Sequence, residues 1–278
     1  MLYSDASRNA GGFPPVIHAI YSPLIRLLFA TYSQFMRICI LDNDVIEPDG
    51  VPIWGSYAAM FETLLRAAGY QGLVDSFSAR LGQYPASFDD YDAVLLTGSR
   101  SDSFSDEAWV VQLRACVSGL LAQGQKLVGV CFGHQLIAHC LGARVARAAQ
   151  GWGLGRTVYD WHGPEGIANP QGKLALLASH QDQVLELPEG ATLLASNAHC
   201  PIAAYSISEQ VLCVQPHPEF DARYAAFLLG KRREMFGEAV YQDRVKTLQE
   251  GHDGVQFGAF VLRFIYPGGS EPTAMTTD

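Results

Sequence analysis

Two patterns alternate along the chain. Short, mainly apolar runs at residues 37–41, 74–77, 93–96, 126–130 and 211–214 have the length of strands buried on both faces. Between them, apolar residues recur at steps of three and four, which marks one face of a helix. The first such face is Tyr57, Met60, Phe61, Leu64, Leu65 and Ala68, with Gly69 as its C-terminal stop. The second is Trp109, Leu113, Cys116, Val117, Leu120 and Leu121, with Ser105 placed to cap its start and Gly124 to close it. Strand alternating with helix predicts an α/β fold, a mostly parallel sheet with helices on both faces.

After residue 140 the pattern changes. Residues 144–148, 156–159, 174–178, 192–196 and 202–206 are short strand-like runs separated by Gly, Pro and Asn. They predict antiparallel additions beside the main sheet. Helical spacing returns in residues 221–236, 238–248 and 255–265. Residues 36–267 therefore read as one domain, without repeats or an internal linker. Residues 1–35 hold Asp5, Pro14, Pro15 and Pro23, which argues against a secretory leader. Met36 directly precedes the first strand, so it is the expected natural start, with residues 1–35 as an extension. The polar tail 268–278 is expected to be disordered.

Composition narrows the class. The chain has 278 residues, 49% hydrophobic, and a net charge of −9 without a block of Lys or Arg, so no nucleic-acid partner is expected. The apolar stretch at residues 24–30 is short and carries Arg26, so no membrane span is expected either. The six cysteines (Cys39, Cys116, Cys131, Cys140, Cys200, Cys213) show no CxxC pair and read as reduced thiols of a cytoplasmic protein. His134, His139 and Cys140 share a helix and His199 adjoins Cys200, but neither group has zinc-site spacing, and no metal or other cofactor is expected.

The chemistry concentrates at Gly129-Val130-Cys131-Phe132-Gly133-His134-Gln135, where the fourth strand turns into a helix. A cysteine flanked by glycines two residues away on each side has the layout of a nucleophile elbow. The glycines permit a turn too tight for a Cβ, and the helix N-terminus stabilises negative charge on a nucleophilic sulfur. Such a nucleophile needs a base and the base an orienting group. Gln215-Pro216-His217-Pro218-Glu219 supplies both, because residues two apart in extended backbone point the same way. The Phe132 N–H, with the backbone near Gly98 and Ser99 after the third strand, is the expected oxyanion hole.

The elbow, Thr97-Gly98-Ser99, Ser179-His180-Gln181-Asp182 and His217-Pro218-Glu219 together resemble the class I, triad-type glutamine amidotransferases. The resemblance covers about residues 36–235. It points to the free-standing subgroup similar to the amidotransferase half of GMP synthase, which includes γ-glutamyl peptidases. It implies a flavodoxin-like fold, a Cys131–His217–Glu219 triad, and hydrolysis of a γ-glutamyl amide, glutamine by default, through a thioester on Cys131. It further implies that Gln135 helps hold the glutamyl group, and that Ser179, His180 and Gln181 hold its α-amino and α-carboxylate ends through their backbone. No synthetase motif is present, so released ammonia would serve a separate synthetase or acceptor enzyme, or none. A γ-glutamyl peptidase acting on glutathione and a non-catalytic, partner-dependent subunit remain as alternatives. The cluster Lys231-Arg232-Arg233 reads as a solvated helix face.

Overall fold

The computed structural model describes residues 36–268; the expectations for residues 1–35 and for the tail beyond Gly268 lie outside the described residues. Four early strands are β1 (Arg37–Asp42), β2 (Leu73–Ser78), β3 (Ala93–Leu96) and β4 (Leu127–Val130). The later strands are β5 (Val145–Arg147), β6 (Gly153–Trp161), β7 (Lys173–His180), β8 (Asp182–Val184), β9 (Thr192–Ser196), β10 (Ala204–Ile207) and β11 (Val211–Val214). One nine-stranded sheet has the order β2-β1-β3-β4-β11-β10-β9-β6-β7, and β5 pairs with β8 in a small sheet of its own. The pairs from β2 to β11 are parallel and those from β11 to β7 are antiparallel. The parallel half, in order 2-1-3-4-5 along the chain, is the flavodoxin-like core, and the antiparallel half is the expected set of additions.

The helices are α1 (Val51–Trp54), α2 (Tyr57–Ala67), α3 (Ala108–Ala122), α4 (Phe132–Cys140), α5 (Ala222–Lys231), α6 (Arg233–Phe236), α7 (Glu238–Thr247) and α8 (Gly254–Ile265). Alternation along the strands sets the two layers. Ile38, Ile40 and Leu95 pack with Phe61 and Leu65 of α2 and Phe257 of α8. Cys39, Leu41, Val94 and Leu96 face the other way, onto Val110, Leu113 and Val117 of α3 and Leu136 and Ile137 of α4. β3, β4 and β11 are buried at every position, which is why they carry no polar alternation. Gly69 stops α2 at φ 97°, with the Tyr70 N–H donating back to the Leu65 carbonyl at 2.9 Å. No helix among the described residues is long and apolar enough to cross a membrane.

Some boundaries move. Ser105 does not cap α3: its hydroxyl accepts from the Glu107 N–H at 3.0 Å, two residues on, and the helix starts only at Ala108. The helical run 221–236 is broken at Arg232 (φ −109°, ψ 12°) into α5 and α6. Asp221 caps α5 by accepting from the Tyr224 N–H. β8, of sequence Asp-Gln-Val, is fully buried despite its polar residues, so hydrophobic pattern could not reveal it.

The elbow is sterically fixed. A Cβ on Gly133 would lie 2.5 Å from the Leu96 carbonyl oxygen, and one on Gly129 would lie 2.7 Å from the Gly133 carbonyl. Both neighbours are backbone and cannot rotate away. We expect Gly133→Ala to lower stability by about 1–3 kcal/mol through overpacking. Urea denaturation checks this; an unchanged midpoint would show that β3 and α4 separate freely.

Candidate active site

The carboxyl ends of β3, β4 and β11 lie side by side in the sheet, and each leads into one piece of the site. β4 leads into Cys131, which takes φ 52°, ψ −102° at the N-cap of α4. Positive φ in a residue with a Cβ costs about 1–3 kcal/mol and persists only where the surroundings fix it. Here the Cys131 N–H donates to the Val214 carbonyl of β11 at 2.9 Å, and its own carbonyl accepts from the Gln135 N–H at 3.0 Å. The strain falls on the cysteine, whereas the flanking glycines serve close approach.

β11 leads through Pro216 into His217, whose N–H donates to the Leu177 carbonyl of β7 at 2.8 Å. The His217 Nδ1 is 2.7 Å from Glu219 Oε1, and both side chains are almost fully buried. Phe220 stacks on the imidazole at 3.9 Å between ring centroids and 8° between planes. The ring is thus held on one edge by a carboxylate and on one face by an aromatic side chain. Burial disfavours its charged form, but the charges of the Glu219 carboxylate and the neighbouring Cys131 sulfur outweigh this, and the His217 pKa is pushed up to about 10. The structure therefore brings Cys131, His217 and Glu219 together.

β3 leads into the Thr97-Gly98-Ser99 turn. A Cβ on Gly98 would lie 2.8 Å from His217 Cε1 and 3.6 Å from Cys131 Cβ, so only glycine fits there. Among the described residues, the N–H groups of Gly98, Ser99 and Phe132 donate to no backbone acceptor outside the regular elements. The turn is clamped from behind. Asp44, buried with Asp42 and Asn43 at the end of β1, accepts from the Arg100 N–H at 2.8 Å and from Arg100 Nε at 3.0 Å. Arg100 also reaches Glu47 and the Val45 carbonyl, so its charge is already paired beside the turn.

The remaining expected residues line the same cavity of about 390 Å³. Gln135 Nε2 donates to the Asp182 carbonyl at 2.8 Å and to Gln215 Oε1 at 3.1 Å, leaving its own Oε1 for a ligand. Gln135 is thus also a brace between α4, β8 and the end of β11. Ser179 Oγ accepts from Arg232 at 2.9 Å. His180 is buried, its ring nitrogens find no partner among the described residues, and burial pushes it down to about 3, so it stays neutral. Gln181 Oε1 accepts from Arg147, which also pairs with Asp182 and Asp102. His134 packs on Tyr205 inside the protein and is absent from the cavity wall. Arg232 corrects the reading of residues 231–233 as a solvated face. The break between α5 and α6 turns its side chain into the cavity, over the Trp152 ring at 5.1 Å. No grouping of His, Cys, Asp and Glu suited to a metal ion occurs among the described residues. Asp44, Phe220 and Arg232 escaped the sequence reading because their roles depend on residues distant along the chain.

The raised His217 value has a stability consequence. Because the folded pKa exceeds the ordinary 6.5, the contribution is full below about pH 6.5 and is lost as pH rises toward 10. Unfolding free energy should fall across that window, and less steeply in Glu219→Gln; equal slopes would contradict the coupling. Asp44→Ala should cost about 1–3 kcal/mol by leaving the Val45 and Arg100 N–H groups without their carboxylate acceptor. Arg100→Ala, at a half-exposed side chain, should cost less in the same chemical denaturation; equal losses would refute the importance of Asp44 burial.

Comparison with known proteins gives the family and the fold. The glutamine amidotransferase class-I family model matches residues 55–227. The chain is 33% identical to γ-glutamyl peptidase 3 of Arabidopsis thaliana over 229 residues, covering 79% of this chain and 89% of that protein. It is 34% identical to the GMP synthase [glutamine-hydrolyzing] of Caldicellulosiruptor saccharolyticus over 128 residues, covering 45% of this chain and 24% of that protein. The crystal structure of a glutamine amidotransferase from Thermotoga maritima superimposes with a TM-score of 0.68 at 16% identity, covering 84% of this chain and 99% of that one. An elbow cysteine beside a histidine–carboxylate pair, on a flavodoxin-like sheet, thus sits within a matched sequence family: the chain belongs to the class-I glutamine amidotransferases.

Proposed function

We propose that the chain hydrolyses γ-glutamyl amide bonds, with Cys131 as nucleophile, His217 as proton carrier and Glu219 as its orienter. The observation that carries this reading is the buried Glu219–His217 pair at 2.7 Å, with the imidazole and the elbow cysteine both against Gly98 in one cavity. One proton is shared between the Cys131 sulfur and the His217 ring nitrogen that faces it. The thiolate attacks the γ-carbonyl carbon, forming a C–S bond and an oxyanion. The N–H groups of Phe132 and of the Gly98-Ser99 turn stabilise that oxygen. The C–N bond then breaks, and the imidazolium proton goes to the leaving nitrogen. Water next attacks the thioester and gives a proton to neutral His217; the C–S bond breaks, the sulfur is restored and glutamate leaves. Glu219 holds the ring in one tautomer and offsets its charge.

Glutamine is the default substrate. A specific observation favours a larger leaving group: the cavity of about 390 Å³ is lined by Glu47 and Met235 as well as Cys131, within the size range of pockets for molecules larger than an amino acid. Relatives matched along most of their own length include γ-glutamyl peptidase 3 at 89%, beside a protein named only as a putative glutamine amidotransferase-like protein at 98%, whereas the GMP synthases match over about a quarter of theirs. γ-Glutamyl peptides such as glutathione are therefore the favoured substrates, and supply of ammonia to a separate synthetase is the second reading. All six cysteines are free thiols, which supports a reducing, cytoplasmic setting.

Products from glutamine, glutathione and γ-glutamyl dipeptides should be followed by mass spectrometry. Cys131→Ala should abolish turnover, and Glu219→Gln should lower kcat by about 10²–10⁴-fold with the fold intact. Faster cleavage of peptides than of glutamine supports the peptidase reading, and the reverse order supports ammonia supply. Turnover that survives in Cys131→Ala would sink the mechanism.

A further inference from the structure

Four cations line the cavity around Cys131, and three already have carboxylate partners. Arg100 pairs with Asp44 and Glu47. Arg147 pairs with Asp102 and Asp182. Lys231 pairs with Asp49. Arg232 has no carboxylate within ion-pair distance among the described residues. Its recorded polar contact is a single donation from one terminal nitrogen to Ser179 Oγ at 2.9 Å.

A guanidinium carries five donors in a planar fork that matches a carboxylate. Holding one half-buried with a neutral hydroxyl as partner is costly, and burial already works against its charge. Local structure nevertheless fixes it there. Arg232 occupies the joint between α5 and α6, and its guanidinium lies over the Trp152 ring at 5.1 Å. Trp152 immediately precedes β6 and Ser179 lies in β7 opposite Leu154, so this antiparallel pair holds the guanidinium. The donors of the guanidinium are largely unspent.

We propose that Arg232 is the specificity-determining residue that binds a carboxylate of the substrate, with Ser179 and Trp152 setting the plane of its guanidinium. The assignment rests on the reading of this cavity as a γ-glutamyl site. Two substrate groups share that chemistry: the α-carboxylate of the glutamyl part and the C-terminal carboxylate of a peptide leaving group. In the first case Arg232 serves glutamine and peptides alike. In the second it separates a peptidase from an enzyme acting on glutamine.

Binding to Cys131→Ala protein, with and without Arg232→Met, is the test, because it needs no turnover. The ligands are two pairs that differ by one carboxylate: L-glutamine against 4-aminobutanamide, and γ-Glu-Cys-Gly against its C-terminal amide. With Arg232 present, removing the recognised carboxylate should weaken binding roughly 10- to 100-fold. In Arg232→Met both members of that pair should bind equally weakly, and Arg232→Lys should restore part of the difference. The pair that responds identifies the carboxylate. Discrimination that persists in Arg232→Met overturns the assignment. So does uniform weakening of all four ligands, or no binding to the Arg232-bearing protein. Turnover by the Cys131 protein is measured separately. Carboxylate-dependent binding without hydrolysis would sink the hydrolase reading and leave the role of Arg232 standing.

Discussion

The site depends on how closely three stretches of backbone approach one another at the carboxyl edge of the sheet. Positions 98, 129 and 133 each lack a side chain because a Cβ would collide with the His217 ring, with the Gly133 carbonyl and with the Leu96 carbonyl respectively. At 129 and 133 the neighbour is backbone, which cannot rotate out of the way as a side chain can, so these two contacts set the spacing of β3, β4 and α4 within narrow bounds. The strained cysteine, the neighbouring N–H groups and the imidazole all inherit their positions from that packing. The positive φ of Cys131 is a result of it: the chain must leave β4 and enter α4 within one residue, and that residue takes the strain.

Electrostatics then exploits what sterics has positioned. His217 and Glu219 are nearly without solvent, so their interaction is little screened by water or salt. A second buried carboxylate, Asp44, does analogous work one layer behind the Gly98 turn, where its partner is the backbone and side chain of Arg100. The two acids differ in what they hold: Glu219 holds the His217 ring, and Asp44 holds the backbone of Arg100 just after the Gly98-Ser99 turn. Around them, acid–base pairs neutralise the cavity's other cations, which leaves Arg232 distinct.

Local sequence carried the parallel core because its signals are local. The apolar runs at 93–96 and 211–214 are buried throughout, and the Gly69 and Gly124 stops sit at the ends of α2 and α3. Cys131, His217 and Glu219 were legible for the same reason: glycine spacing and a two-residue step in extended backbone are properties of short segments. Ser105 shows where this fails, since its hydroxyl satisfied a nearer N–H than a cap would have used. β8 escaped because its buried residues are polar and are paired through β5, α4 and Arg147. Arg232 was misread because a basic triplet looks solvated until the break between two helices sends one member inward. Fold class follows from periodicity, whereas site electrostatics follows from contacts between residues far apart in sequence.

The position of β11 has a consequence for biosynthesis. Among the described residues it is the last strand made, yet it lies in the middle of the sheet, between β4 and β10, and it delivers His217 to the cysteine. Until it emerges from the ribosome, the nascent chain holds an open apolar slot along β4, and Cys131 has neither its histidine nor the Val214 carbonyl that anchors its N–H. An unpaired strand edge invites association with other chains, so the interval before residues 211–214 appear is when the growing polypeptide is most exposed to aggregation. Insertion of this one strand closes the edge and brings His217 beside Cys131 in one step, so a chain truncated before it would present the elbow cysteine without its imidazole neighbour.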